Sequence, residues 1–267
     1  MQYVSLYFEF IKIQIVGIFQ FKKAFTLGLI AQLASYGAEF FLLWIVIDRF
    51  NEINGWYSYE VLLLYAMNLC SYALASFFLA SPSFRLSQMI KDGTFDEILT
   101  KPLNNFLYLI CREFNSGYLS HLILSLVAMF IALANLNVSL NFFQTLFFII
   151  VILSGSLIQG AALILISIPS FWVVENSMLK DVLFFQAKNF IRYPISIYPG
   201  IIQILLTFVI PYAFINFFPV QYFIQKNDFT FFSPVFQFLS PLVGVVLFIL
   251  AYILWRIGIN NYKSTGS

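Results

Sequence analysis

Between Phe25 and Trp255 the chain repeats one pattern, a long apolar run closed by a short polar or proline-bearing stretch. The runs lie near Phe25 to Val46, Ser58 to Ala80, Phe106 to Ala134, Phe142 to Ile168, Gly200 to Phe218 and Ser233 to Trp255. Roughly 20 apolar residues are what a helix needs to cross the hydrocarbon of a bilayer, where no water satisfies exposed backbone groups. The pattern predicts an all-α polytopic membrane protein with six transmembrane helices. Composition agrees, since 10% of the residues are charged against roughly 25% in an average soluble domain, and the mean hydropathy is +0.89. Pro211 interrupts the fifth run, and apolar character continues past it to Ile224. Ser233-Pro234 supplies an N-cap and first-turn proline for the sixth, which Pro241 is expected to kink.

Basic residues set the expected orientation. An inner N-terminus places Lys12, Lys22, Lys23, Arg85, Lys91, Lys101, Arg112, Lys180, Lys188, Arg192, Arg256 and Lys263 on the cytoplasmic side, leaving Arg49 and Lys226 outside. Both termini are therefore read as cytoplasmic. The net charge of +2 marks no nucleic-acid patch, and Cys70 and Cys111 both fall in spans, which indicates neither a disulfide framework nor a paired-Cys metal site. No polar stretch is long enough to build a soluble core, so water-soluble chemistry must come from a partner chain.

One polar island stands out, residues 83–105, SFRLSQMIKDGTFDEILTKPLNN. Lys91 and Asp92 close one helix, Gly93 suits a left-handed helix end, and Thr94-Phe95-Asp96-Glu97 reads as a capping box that starts another. Pro102 stops that second helix after barely two turns. Phe95, Ile98 and Leu99 can share one face, giving a short amphipathic element at the membrane surface.

Elsewhere, residues 1–24 alternate Gln2, Ser5, Glu9, Lys12, Gln20 and Lys23 with Val4, Phe8, Ile11, Ile15 and Ile18 at helical steps, predicting an interfacial amphipathic helix. Lys22 and Lys23 follow the apolar stretch, the reverse of a signal peptide. The six-helix domain is placed at 25–258 and a cytoplasmic tail at 259–267. Within the spans, Glu39 must be paired, protonated or turned inward, either to meet substrate or to bond a neighbouring helix. His121 is read as a buried hydrogen-bonder and Arg112 with Glu113 as structural ion-pairing residues, while Trp44 and Trp56 are placed in the interfacial belt. Ser156 and Gly160 form a small-residue face for helix contact. Asn176 to Arg192 reads as a second cytoplasmic surface helix, and Pro211 to Ile224 as a re-entrant segment, within an outer element spanning 211–232.

The chain carries no phosphate-binding loop, zinc-binding H-E-x-x-H or G-x-S-x-G nucleophile turn, and no metal site is expected. An intramembrane hydrolase is disfavoured for want of a nucleophile and base, and a secondary carrier by the scarcity of carboxylates in the spans.

Three stretches carry a resemblance: Gly93 to Leu103; Phe190-Ile191-Arg192-Tyr193-Pro194 with Ile210 to Pro219; and Trp255-Arg256-Ile257-Gly258 with Tyr262. They resemble the bacterial permeases of type-2 ATP-binding-cassette exporters, with Lys101 standing where Arg is expected. The resemblance implies a bacterial cytoplasmic-membrane permease without its own ATPase, resting through Gly93, Thr94, Phe95, Asp96, Glu97, Ile98, Leu99 and Pro102 on a separate ATPase, in two copies, that binds ATP and magnesium. It further implies a second permease, related or identical, and an outer gate at Pro211, Phe214, Phe217, Phe218 and Pro219. The abundance of Phe, 34 residues, points to an apolar or amphipathic substrate. A non-transporting scaffold or immunity protein of the same fold, or a secondary carrier, is the alternative.

Overall fold

The computed structural model describes residues 2–50, 52–113, 115–173 and 186–264. Helix α1 (Gln2–Gln20) leads into α2 (Lys22–Phe50), and a tight hairpin, Glu52–Ile53 with Trp56–Tyr57, turns the chain into α3 (Ser58–Lys91). Asn54 and Gly55 both take positive φ, 50° and 78°, as a two-residue Asn-Gly hairpin turn requires. Then come α4 (Thr94–Leu99), α5 (Asn105–Arg112), α6 (Leu119–Asn135) and α7 (Phe142–Ser167). A one-turn α8 (Ala187–Phe190), α9 (Gly200–Ile204) with a π-helical continuation over Leu205–Val209, α10 (Phe217–Phe223) and α11 (Ser240–Asn261) complete the chain.

Among the described residues five helices are long and apolar enough to cross a membrane, and a bent pair, Gly200–Val209 and Tyr212–Ile224 at 78°, adds a sixth crossing if it is one broken span and not a re-entrant loop. The fold is thus the all-α polytopic one expected, with corrections to two spans. The third run does not form one helix from Phe106: α5 stops at Arg112 and a 3-10 turn at Ser116–Tyr118 precedes α6. Asn115 side-chain oxygen accepts the Gly117 N–H (2.9 Å), and the Asn115 N–H donates to the Phe77 carbonyl of α3 (2.8 Å), fixing the break. In the sixth, Ser233 and Pro234 open only a 3-10 turn through Phe238, and Pro241 sits in the first turn of α11, where its missing N–H costs no helical bond, so it kinks nothing.

Helix α3 is the axis. Its 34 residues reach about 51 Å at 1.5 Å per residue, beyond the roughly 30 Å of hydrocarbon, and nearly every side chain from Val61 to Ala73 is buried. Helices α6 and α7 flank it, and α11 packs on α7. Small residues set those distances. A Cβ on Gly244 of α11 would lie 2.7 Å from the Ser154 carbonyl oxygen, and one on Gly160 would lie 2.8 Å from Leu79 Cδ1 of α3. Ser156, expected beside Gly160, instead donates to Leu153 of its own helix (2.6 Å). Its neighbours Ser154 and Gly155 are the close-contact residues, Ser154 bonding the Ser240 carbonyl and Gly155 lying against Ser71.

The periphery is looser. Helix α1 meets the bundle through Phe10, edge-on to Tyr108 at 5.2 Å, and leaves Phe8, Ile15 and Phe19 exposed. Along α2, Leu27, Ile30, Phe41 and Leu42 are exposed, as a lipid-facing helix requires. Trp44 is half-buried against Tyr59, but Trp56 is fully buried, a correction to its belt assignment: its indole N–H donates to Asp228 (2.7 Å) and its ring lies over Phe217. Lys226 completes this cap with bonds to the Gly55 carbonyl (2.6 Å) and Glu60 (2.7 Å).

Gly244→Ala forces α11 off the rigid backbone of α7, so thermal unfolding in detergent is expected to show a loss of about 1–3 kcal/mol, whereas alanine at Gly28, whose Cβ meets nothing within 4 Å, should leave the midpoint unchanged or slightly higher.

Candidate functional site

At the end of the bundle that carries Lys91, α3 closes at Asp92 and Gly93 takes φ 70°, the left-handed geometry that glycine adopts without steric cost. The predicted capping box does not form. Gly93, which has no side chain, is the N-cap, Thr94 already lies in the helix with its hydroxyl donating back to the Met89 carbonyl (3.3 Å), and Glu97 turns to Lys101 (3.5 Å) and Arg112 (3.4 Å). Arg112 also meets Glu113 (3.8 Å), which pairs with Arg85. These two residues therefore lie at the break after α5, in an ion-pair network with α3 and α4.

The apolar face of α4 points into this chain. Phe95 is fully buried, edge-on to Tyr262 at 5.3 Å and tilted against Phe171 at 5.6 Å; Ile98 is buried and Leu99 half-buried. Phe171 in turn contacts Trp255 at 5.2 Å, and Trp255 contacts Phe106 of α5 at 5.6 Å. Asp96 accepts a bond from Ser264 (2.7 Å). Thr94, Glu97, Thr100 and Pro102 are the exposed positions around α4. Phe171 carried no signal in the sequence: it is one aromatic among many after Pro169, and only the packing shows that it joins α4 to α11.

A second polar constellation lies deep in the bundle. Glu39 sits about 25 Å along α2 from Lys22 and about 16 Å from Phe50. Arg192 Nη2 donates to it at 3.0 Å, with side chains 28% and 37% exposed for Arg192 and Glu39. Lys188 places its ammonium 3.6 Å from the centre of the Tyr72 ring. Glu39, Arg192 and Lys188 line one crevice together with Tyr36, Tyr65, Asn68, Leu69 and Tyr72. The expectation of a surface helix ending at Arg192 is thus corrected over its described part, because Lys188 and Arg192 enter the bundle to pair with Glu39 and cap Tyr72; Asn176 to Lys180 and the rest of that expectation up to 185 lie outside the described residues.

Amide side chains hold this inward excursion. Asn68 donates to the Lys188 carbonyl (3.5 Å) and accepts from Gln159 (3.0 Å), while Asn216 donates to the carbonyls of Leu64 (3.0 Å) and Ile191 (2.7 Å). His121 is buried beside the crevice, but its two ring nitrogens find no hydrogen-bond partner among the described residues, which corrects its reading as a hydrogen-bonder. It is held by ring packing, 3.9 Å from Tyr36 and 5.1 Å from Tyr118. Among the described residues no three His, Cys, Asp or Glu side chains come together as a metal site.

The gate candidates form an aromatic plug. Phe214, Phe217, Phe218 and Pro219 are buried and Pro211 half-buried, with Phe218 contacting Phe214, Phe232 and Phe236 at 5.0–5.5 Å.

Arg192→Leu leaves the Glu39 carboxylate unpaired in low dielectric, so it should cost about 1–3 kcal/mol in detergent unfolding. Adding Glu39→Gln should restore most of that loss, and a double-mutant cycle measures the coupling.

Neither a curated protein nor a solved structure matches the chain. The family model described as ABC-2 family transporter protein matches residues 33–266, which takes in α3 to α11, the deep crevice and the α4 junction, and on that match the chain belongs to the ABC-2 transporter family.

Proposed function

We propose that this chain is the permease of an ATP-driven exporter in the bacterial cytoplasmic membrane, with both termini inside and a separate ATPase seated on α4. Family membership supports the permease and a general partnership with an ABC ATPase. The observation that carries the coupling role is the Phe95 junction: α4 presents Thr94, Glu97 and Thr100 outward while its apolar side is locked to Phe171 and Tyr262. A push on α4 is thereby delivered to α11 and to the end of α7, not only to its neighbour α3.

Orientation rests on the charges at the two ends. Lys22, Lys23, Lys91, Lys101, Arg112, Arg256 and Lys263 gather at the α4 end, against Arg49 and Lys226 at the other, even with Lys188 and Arg192 removed to the interior. In this reading ATP and magnesium bind two copies of the ATPase, a second permease, related or identical, completes the translocation path, and the plug around Phe218 is the outer gate.

Co-expression with an ABC ATPase should yield a complex on a tag placed on this chain. Glu97→Arg, which reverses an exposed charge of α4, should lower capture about tenfold, while Phe95→Ala should keep the ATPase bound yet abolish substrate-stimulated hydrolysis. Unchanged capture by Glu97→Arg and Asp96→Arg alike places the docking surface elsewhere.

A further inference from the structure

We infer that the pocket between the start of α5 and the last turns of α11 is a head-group site for an anionic phospholipid, drawn from the leaflet that meets the α4 end of the bundle. The site needs no ATPase and stands beside the permease reading, not on it. The pocket measures about 400 Å³, within the roughly 300–1,000 Å³ of small-molecule sites. Asn104 and Asn105 form one wall. Tyr252, Trp255, Arg256 and Asn260 form the other, at the helical spacing that places side chains on one face.

Three observations carry it. First, Arg256 is exposed and makes no hydrogen bond, ion pair or ring contact among the described residues, and no carboxylate lines the pocket. Its neighbours in the sequence serve the interior instead. Trp255 contacts Phe171 at 5.2 Å, and a Cβ on Gly258 would run into the same ring. A guanidinium left over in this way presents a planar fork of N–H donors, which pairs with two oxygens of a phosphate.

Second, Trp255 is 3% exposed, and its indole N–H has no hydrogen-bond partner among the described residues. A buried donor without a partner is costly, and an oxygen seated against this inner wall supplies the acceptor. Third, the remaining wall groups suit a phosphate carrying hydroxyls. The Asn104 amide donates to the Tyr252 hydroxyl (3.3 Å), which keeps that hydroxyl's own proton for a ligand. The side chains of Asn105 and Asn260 are free to donate and accept as well.

The position selects a lipid over a soluble phosphate. Arg256 lies where the apolar run of α11 gives way to Asn260, Asn261 and Lys263, and Ile253 and Ile257 beside it are exposed, so acyl chains have an apolar flank next to the cation. Basic pockets at such boundaries between membrane helices are where acidic head groups bind. Phe106 and Trp255, 5.6 Å apart, back the pocket, so an occupant braces the ring contacts that lead to Phe171 and Phe95.

The full-length chain in phosphatidylcholine nanodiscs, without any ATPase, is exposed to phosphatidylglycerol carrying a photoreactive diazirine on its head group, and labelled peptides are read by mass spectrometry. Label should fall on peptides containing Asn104 to Phe106 and Tyr252 to Asn260. Unlabelled phosphatidylglycerol should compete, where added phosphatidylcholine of the same chains and glycerol phosphate at the same concentration do not. Arg256→Gln should cut labelling by about 3- to 10-fold with the unfolding midpoint retained, and Lys22→Gln, which removes an exposed cation that does not line the pocket, should leave it unchanged. Wild-type labelling in Arg256→Gln, an equal loss in Lys22→Gln, or equal competition by phosphatidylcholine overturns the proposal. Equal competition by glycerol phosphate overturns the lipid in favour of a soluble phosphate ligand.

Discussion

Every backbone N–H and carbonyl placed inside a bilayer must find a partner within the protein, and this requirement governs how the irregular parts of the chain are arranged. Long stretches of α2, α3, α6, α7 and α11 meet it by helical bonding alone. The stretch from Ile191 to Gly200 and the turn from Ile210 to Asn216 cannot, and they combine local turns, such as the Ile197 N–H on the Pro194 carbonyl (3.3 Å) and the Ile215 N–H on the Tyr212 carbonyl (3.0 Å), with bonds from amide side chains. Asn216 reaches the carbonyls of Leu64 and Ile191, Asn68 reaches Lys188, and Gln203 reaches Tyr198 at 2.8 Å. Gln203 and Asn216 belong to the bent pair Gly200–Val209 and Tyr212–Ile224 itself, and Asn68 reaches the neighbouring segment from α3.

The same amides bring charge inward. Once Ile191 is tied to Asn216, Arg192 follows into the bundle, where Glu39 is the carboxylate that neutralises it. Helix α3 then passes Tyr65 and Tyr72 beside this pair and continues about 29 Å further to Lys91, next to α4. One continuous helix, with Pro82 inside it, thus joins the deep polar crevice to the surface helix. A second route, from Phe95 through Phe171 and Trp255 into α11, runs parallel to it.

The crossings were legible because an apolar run long enough for a bilayer has few other uses, and their ends fall where polar residues begin. Gly93 was legible for a similar reason, since a left-handed residue between two helical stretches calls for glycine. Lys188 and Arg192 were not: counting basic residues between runs treats each as surface-bound, and the feature that draws Arg192 inward is a carboxylate 153 positions away. Glu39 was recognised as needing an inward environment, but its partner closes a stretch, Asn176 to Arg192, whose charges read as the polar side of a cytoplasmic surface helix. The capping box failed because Thr94 and Glu97 match the motif while Gly93 takes the cap position, and Glu97 had two cations within reach.

Phe95 is closed in by Phe171 and, from the other side, by Tyr262, a residue 167 positions away. A six-residue helix is marginal by itself in water, so α4 takes its seat only through rings supplied by distant parts of the sequence. The surface helix is thereby a product of tertiary packing, and loosening either ring contact unseats it without touching its own residues.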